Sequence, residues 1–430
     1  MTVNNLVSLL GVVVLVGAAW LLSNGRRRFP WRVALWGTGL QFAFALLLLR
    51  TPWGRAAFEG VRGVINRILG FTDAGSAFLW GNLFRTGPDL VRDIGPGPMG
   101  AGYWQATDSV SGQLIPLGTV FVIHVLPTII FFSSLMAVLY HLGIMQRVIG
   151  ALAWVMRRTM GTSGAESLCC AANIFVGQTE APLVIRPCVP KLTESELMAV
   201  MVGGFATIAG GVMMVYVRFG LDAGHLLAAS VMSAPAALVM AKVMCPEREV
   251  PDTAGGAQLE NRREYANVID AAAGGAGVGL RMAANVSAML LAFIALVAMI
   301  NHGLGWMHTS LQQIFGLLFS PFAWVMGVPW GEARAVGNLL GTQMTLNEFV
   351  AYLDLAGAAR AGALSPRSVV IATYAICGFA NFASIAIQIG GIGSLAPGRR
   401  ADVARLGLKA MFAGQLASWM TAAIAGFLTR

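Results

Sequence analysis

The sequence predicts an all-α polytopic membrane protein with eight transmembrane helices, two opposed re-entrant hairpins, interfacial helices and an inverted repeat with discontinuous helices. Three observations carry that prediction. Of 430 residues, 57% are hydrophobic and only 11% charged, against about 25% charged in an ordinary soluble domain. Two acidic residues, Glu180 and Glu348, sit inside apolar stretches, where a charge costs roughly 2.5 kcal/mol or more and normally marks an ion or solute path. Each is followed by a long hydrophobic segment interrupted by glycines and small polar residues.

The elements follow in order. Residues 6–22 form an apolar run after an uncharged start and before three arginines, the reverse of a cleavable leader, so this run is expected to remain as a span with its N-terminus outside. Residues 33–49 return outward, and residues 51–113, rich in Trp and Gly-Pro turns, suit helices lying on the outer surface. Residues 114–142 are long enough to cross the roughly 30 Å hydrocarbon layer. Residues 145–160 carry Arg147, Arg157 and Arg158 among apolar residues and read as a cytoplasmic interfacial helix. From there to Pro190, small polar residues and three prolines would leave backbone groups unmet in lipid, so a hairpin buried in protein fits better.

Residues 197–219, broken by glycines, and residues 225–244 are the next two crossings, and 285–300 goes out after a polar loop. The second half repeats the plan from the other face. Residues 311–328 read as an outer interfacial helix, 331–355 as the hairpin holding Glu348, 369–395 as a broken span and 403–428 as a final span ending outside. Four segments result: 1–142, mostly scaffold; 143–245, the first repeat; 246–308, a cytoplasmic loop, interfacial helix and scaffold span; and 309–430, the second repeat. Inverted repeats with broken helices place a binding site near the bilayer midplane and suit alternating access.

The net charge of +9 does not point to nucleic acid. Its arginines and lysines cluster at span ends that one threading places on the cytoplasmic side, including Arg26, Arg27, Arg28, Arg248, Arg399 and Arg400. The five cysteines lack paired metal or redox spacing. His124 and His141 have no second ligand at metal spacing, and Glu166 reads as a helix-start residue. Gly274, Gly275, Gly277 and Gly279 resemble a phosphate loop only faintly; close helix packing explains them better.

The polar residues describe a ligand. Gln178, Thr179 and Glu180 offer an amide, a hydroxyl and a carboxylate at one hairpin tip, and an amide matches the edge of a heterocyclic base. Asn347 and Glu348, with Asn381 and Ser384, suit vicinal hydroxyls, while Val212 and Phe379 supply apolar walls. Within these motifs the one cation is Arg186, so a fixed countercharge for phosphate or carboxylate is missing. The expected solute is neutral, polar and ring-containing. Asn173, Val176, Thr207 and Ile208 form a second set, whose oxygens at a glycine-rich break suit sodium.

Four motifs closely resemble the concentrative nucleoside transporter family: Asn173-Ile-Phe-Val-Gly-Gln-Thr-Glu-Ala-Pro-Leu, Gly204-Phe-Ala-Thr-Ile-Ala-Gly, Leu346-Asn-Glu-Phe-Val-Ala-Tyr and Cys377-Gly-Phe-Ala-Asn-Phe-Ala-Ser. The resemblance covers nearly the whole chain. It implies the eight-span bacterial form, a homotrimer in the inner membrane that imports nucleosides by sodium symport and needs no cofactor beyond the coupling ion. It places Gln178, Thr179, Glu180 and Val212 at the nucleobase, Glu348, Asn381, Ser384 and Phe379 at the ribose, and Asn173, Val176, Thr207 and Ile208 around sodium. Proton coupling is the alternative, since the family has proton-driven members, and a free nucleobase is an alternative solute. An enzyme acting on a lipid-linked substrate would need a nucleophile with a base or an acidic metal motif, and neither is present.

Overall fold

The structure is a computed structural model that describes residues 3–81, 84, 106–107, 114–115, 121–255 and 265–429. It opens with α1 (Val3–Leu21) and α2 (Trp31–Arg50), then a 29-residue amphipathic α3 (Pro52–Trp80). Residues 106–107 and 114–115 pair as two short antiparallel strands, β1 and β2. The crossing expected to begin at residue 114 therefore begins later, with α4 (Phe121–His124) and α5 (Leu126–His141); Leu114 and Ile115 are committed to a strand ladder.

The amphipathic α6 (Ile144–Met160) ends at Gly161, whose φ of +74° closes the helix in the left-handed region. A Ser163/Glu166 capping box starts α7 (Gly164–Asn173), so Glu166 is the helix-start residue expected. Beyond the tip, Pro182, Pro187 and Pro190 remove backbone donors, and the chain returns through two 3₁₀ turns, Ala181–Ile185 and Val189–Lys191. A second capping box, Thr193/Glu196, starts α8 (Glu194–Ala206). After a non-helical break at residues 207–209 come α9 (Gly210–Arg218) and α10 (Ala223–Met244). Arg62 of α3 pairs with Asp222 just before α10, and Arg218 with Asp73 of α3.

The interfacial helix and span expected after residue 246 are one continuous 38-residue helix, α11 (Val268–Gly305). Gly275 and Gly279 serve packing, as expected: a Cβ on Gly275 would lie 2.6 Å from the Ala137 Cβ, and one on Gly279 would lie 2.7 Å from the Ile130 Cα, so only glycine lets α11 approach α5 this closely, whereas a Cβ on Gly277 would meet nothing within 4 Å. Then α12 (Leu311–Val325) bends by 117° into α13 (Trp330–Thr345). Residues 346–347 turn the chain into α14 (Glu348–Arg360). The last broken pair is α15 (Pro366–Ala375) and α16 (Phe382–Leu395), followed by α17 (Arg400–Leu428).

Among the described residues seven helices are long and apolar enough to cross a membrane, or up to eight if the bent pair counts as one. The segment expected to cross at 369–395 is not among the seven, because its halves are 10 and 14 residues long. At about 1.5 Å per residue each half falls short of the roughly 30 Å hydrocarbon core. The core of the molecule is built from α8, α10 and the part of α17 beyond residue 412, almost entirely buried, with α1 and α2 packed on α10 and α17. Beneath it, Lys242 of α10 reaches Glu166 of α7 at 2.7 Å and Glu247 at 3.1 Å.

Candidate functional site

The two helix breaks cross in the middle of the molecule. Gly378, at φ +155°, sits so close to the first break that a Cβ there would lie 2.5 Å from the Phe205 carbonyl oxygen. Breaking a helix frees carbonyls that need donors, and here α17 and α13 supply them. Ser418 Oγ donates to Cys377 O at 2.8 Å and lies 3.4 Å from Ala206 O, touching both breaks. Gln343 Nε2 donates to Gly378 O at 3.0 Å, and Gln415 holds Gln343 Oε1 at 3.0 Å. These bonds from α17 and α13 staple the crossing.

A chain of buried side chains runs beside it. Gln178 Nε2, at the tip after α7, donates to Ser384 Oγ on α16 at 3.1 Å, although 206 residues separate them. Asn381 caps α16 through Oδ1, which accepts from Ser384 N at 2.9 Å, leaving its amide to donate to Glu348 Oε2 at 3.1 Å. Glu348 Oε1 accepts from Tyr216 Oη at 3.3 Å. The α9 ring that carries this hydroxyl stacks on Tyr352 with centroids 4.1 Å apart.

Four predicted residues, Gln178, Ser384, Asn381 and Glu348, thus meet in one network. The two acidic residues do not meet each other. Glu180 Oε2 accepts from Gly177 N at 3.2 Å and closes its own turn, while Thr179 is exposed beside α16. Asn347, offered above for hydroxyl recognition, is occupied as the cap of α14, accepting from Val350 N at 3.0 Å. Val212 is buried on the first turn of α9 and Phe379 half-buried within the second break.

Two members of the network were missed in the sequence. Tyr216 lies one turn beyond Val212, and Gln388 one turn beyond Ser384, where Nε2 donates to Gln178 Oε1 at 3.1 Å and to Met201 O at 3.0 Å. The available signal was the i, i+3, i+7 row Asn381, Ser384, Gln388 on one helix face.

The residues expected around a cation lie where the tip after α7 docks on the first break. Asn173 Nδ2 donates to Cys169 O at 3.1 Å, and its buried Oδ1 has no partner. Thr207 Oγ1 donates to Gly203 O at 2.8 Å, keeping its lone pairs. Gly210 N donates to Phe175 O at 3.1 Å and docks the tip on the break. None of the described hydrogen bonds uses the carbonyls of Val176, Thr207 or Ile208. An orphaned amide oxygen, a hydroxyl and unspent carbonyls fit a hard monovalent cation. Among the described residues no cluster of three or more His, Cys, Asp or Glu side chains could hold another metal.

Family models match most of the chain: "Na+ dependent nucleoside transporter N-terminus" over residues 10–83, "Nucleoside recognition" over 122–222 and "Na+ dependent nucleoside transporter C-terminus" over 225–426. An uncharacterized transporter of Haemophilus influenzae is 44% identical over 97% of this chain and 96% of its own. Human sodium/nucleoside cotransporter 1 is 40% identical over 98% of this chain, which spans 64% of that protein. CNTnw in an inward-facing substrate-bound state is 43% identical, with a TM-score of 0.87 over 99% of this chain and 98% of that one. A CNTnw variant in an outward-facing state also gives a TM-score of 0.87, at 42% identity.

Proposed function

The chain belongs to the Na+-dependent nucleoside transporter family, and we propose that it carries nucleosides through a site spanning the tip after α7, the α13–α14 turn and the start of α16. It is a membrane transporter rather than an enzyme, a sodium–nucleoside cotransporter working by alternating access. The carrying observation is the Gln178–Ser384–Asn381–Glu348 network. Its amides and hydroxyl already exchange hydrogen bonds with one another, so an entering nucleoside substitutes for partners instead of desolvating bare groups. In this reading Gln178, Thr179, Glu180 and Val212 take the base, and Glu348, Asn381, Ser384 and Phe379 take the ribose. Tyr216 orients Glu348. Tyr216→Phe should lower kcat/KM for uridine about fivefold, the worth of one net hydrogen bond, measured by initial-rate uptake.

Sodium would be held by Asn173 Oδ1, Thr207 Oγ1 and the carbonyls of Val176 and Ile208, tying the tip to the break. That coupling raises nucleoside affinity, and nucleoside binding raises sodium affinity by the same factor. We further place the protein as a homotrimer in a bacterial inner membrane with both termini outside. The two tips act as re-entrant hairpins of a moving body, and the tightly packed α5 and α11 belong to a fixed frame. The test is uptake of radiolabelled uridine by proteoliposomes under an inward sodium gradient. Choline in place of sodium at fixed pH should abolish concentrative uptake. Uptake that persists in choline and follows a pH gradient instead assigns proton coupling.

A further inference from the structure

Gln388 holds a position that nucleoside contact alone does not account for. It is 1% exposed, deep on the buried face of α16, and both described bonds of its Nε2 go to acceptors, Gln178 Oε1 at 3.1 Å and Met201 O at 3.0 Å. Turning the Gln388 amide over would set its oxygen against those same two acceptors, so its orientation is determined by the backbone of α8. Gln178 inherits that orientation. Its Oε1 must face the Gln388 donor, and its Nε2 is left to reach Ser384 Oγ at 3.1 Å. Gly204 makes the arrangement possible, since a Cβ there would lie 2.8 Å from both the Gln178 Cβ and the Gln388 Nε2.

A primary amide on a free rotor can offer donor and acceptor in either order, and so pairs equally with opposed base edges. Uracil presents an N3–H donor beside the O4 acceptor, whereas cytosine presents an N3 acceptor beside the N4 amino donor. At the same ring positions the two patterns are reversed. A held amide matches one and opposes the other. We infer that Gln388 is a positioning residue which fixes the amide of Gln178 and so sets the hydrogen-bonding register of the nucleobase that the transporter prefers. The inference rests on the nucleoside reading of the Gln178 site. The Gln388 Oε1 is itself buried without a partner, which leaves it free to accept from water without disturbing the lock.

The test is the ratio of KM values for uridine and cytidine in proteoliposomes, with kcat followed separately. In the wild-type protein the ratio should depart from one by about fivefold, the worth of one matched against one mismatched hydrogen bond. Gln388→Met, which keeps the volume and removes the donor, should bring the ratio to about one while both nucleosides are still carried. Gly204→Ala, which wedges the two glutamines apart, should do the same independently. A residue that merely supported the fold would change both KM values together. A wild-type ratio within about twofold of one overturns the inference without any variant, as does an unchanged ratio in either variant that folds. Absence of nucleoside uptake by the wild-type protein would instead overturn the site reading itself.

Discussion

Glu348→Gln should lower kcat/KM for nucleoside uptake about 100-fold, or roughly 2.7 kcal/mol, while leaving the folded protein intact. The carboxylate accepts from two fixed sides, Asn381 Nδ2 at 3.1 Å and Tyr216 Oη at 3.3 Å. Asn381 cannot turn, because its Oδ1 caps α16. A glutamine can still present its oxygen to Asn381 and its amide to a Tyr216 hydroxyl rotated to accept, so the packing survives. What disappears is the charge. Hydrogen bonds to an ionised group are worth about 1.5–3 kcal/mol, and ribose hydroxyls donating to Glu348 lose that increment. Initial-rate uptake in proteoliposomes beside thermal unfolding checks both halves: wild-type transport, or a collapse of Tm, would contradict the assignment.

Lys242→Met should destabilise the protein by about 3–5 kcal/mol. The ammonium is enclosed by Glu166 at 2.7 Å, Glu247 at 3.1 Å and Ser195 Oγ at 3.0 Å. Removing it leaves the Glu166 carboxylate buried and uncompensated, although Ser163 N still donates to its other oxygen at 2.7 Å. The cost arises from that stranded charge more than from the lost attraction. Glu166→Gln combined with Lys242→Met should therefore recover most of the loss, because the glutamine preserves the capping box without a charge. Chemical unfolding in detergent reads both variants. A double variant no more stable than Lys242→Met would show that the pair is worth its attraction alone.

Much of the fold was legible because bilayer chemistry writes itself into composition. Apolar runs of crossing length, arginines at their ends and prolines after Glu180 each follow from the need to satisfy backbone groups without water. The legible part fails where the signal is local and two structures satisfy it. Leu114 and Ile115 extend an apolar run but form a strand, and the interfacial helix and span read after residue 246 are the single helix α11.

Of the candidate site, the sequence alone determined the residue types and their grouping: amide, hydroxyl and carboxylate within motifs interrupted by glycine, with Arg186, beyond the hairpin tip, as the one cation. Those are properties of neighbouring positions, and chain order conserves them. Which of those side chains bond across about two hundred positions was decided by the tertiary structure, which joins Gln178 to Ser384 and Gln388 while turning Glu180 back on Gly177 and spending Asn347 on a helix end. The reason is that a polar side chain takes whichever donor or acceptor the packed backbone brings within reach, and for the crossing helix breaks that reach depends on glycines 204 and 378 and on Ser418 of the final helix.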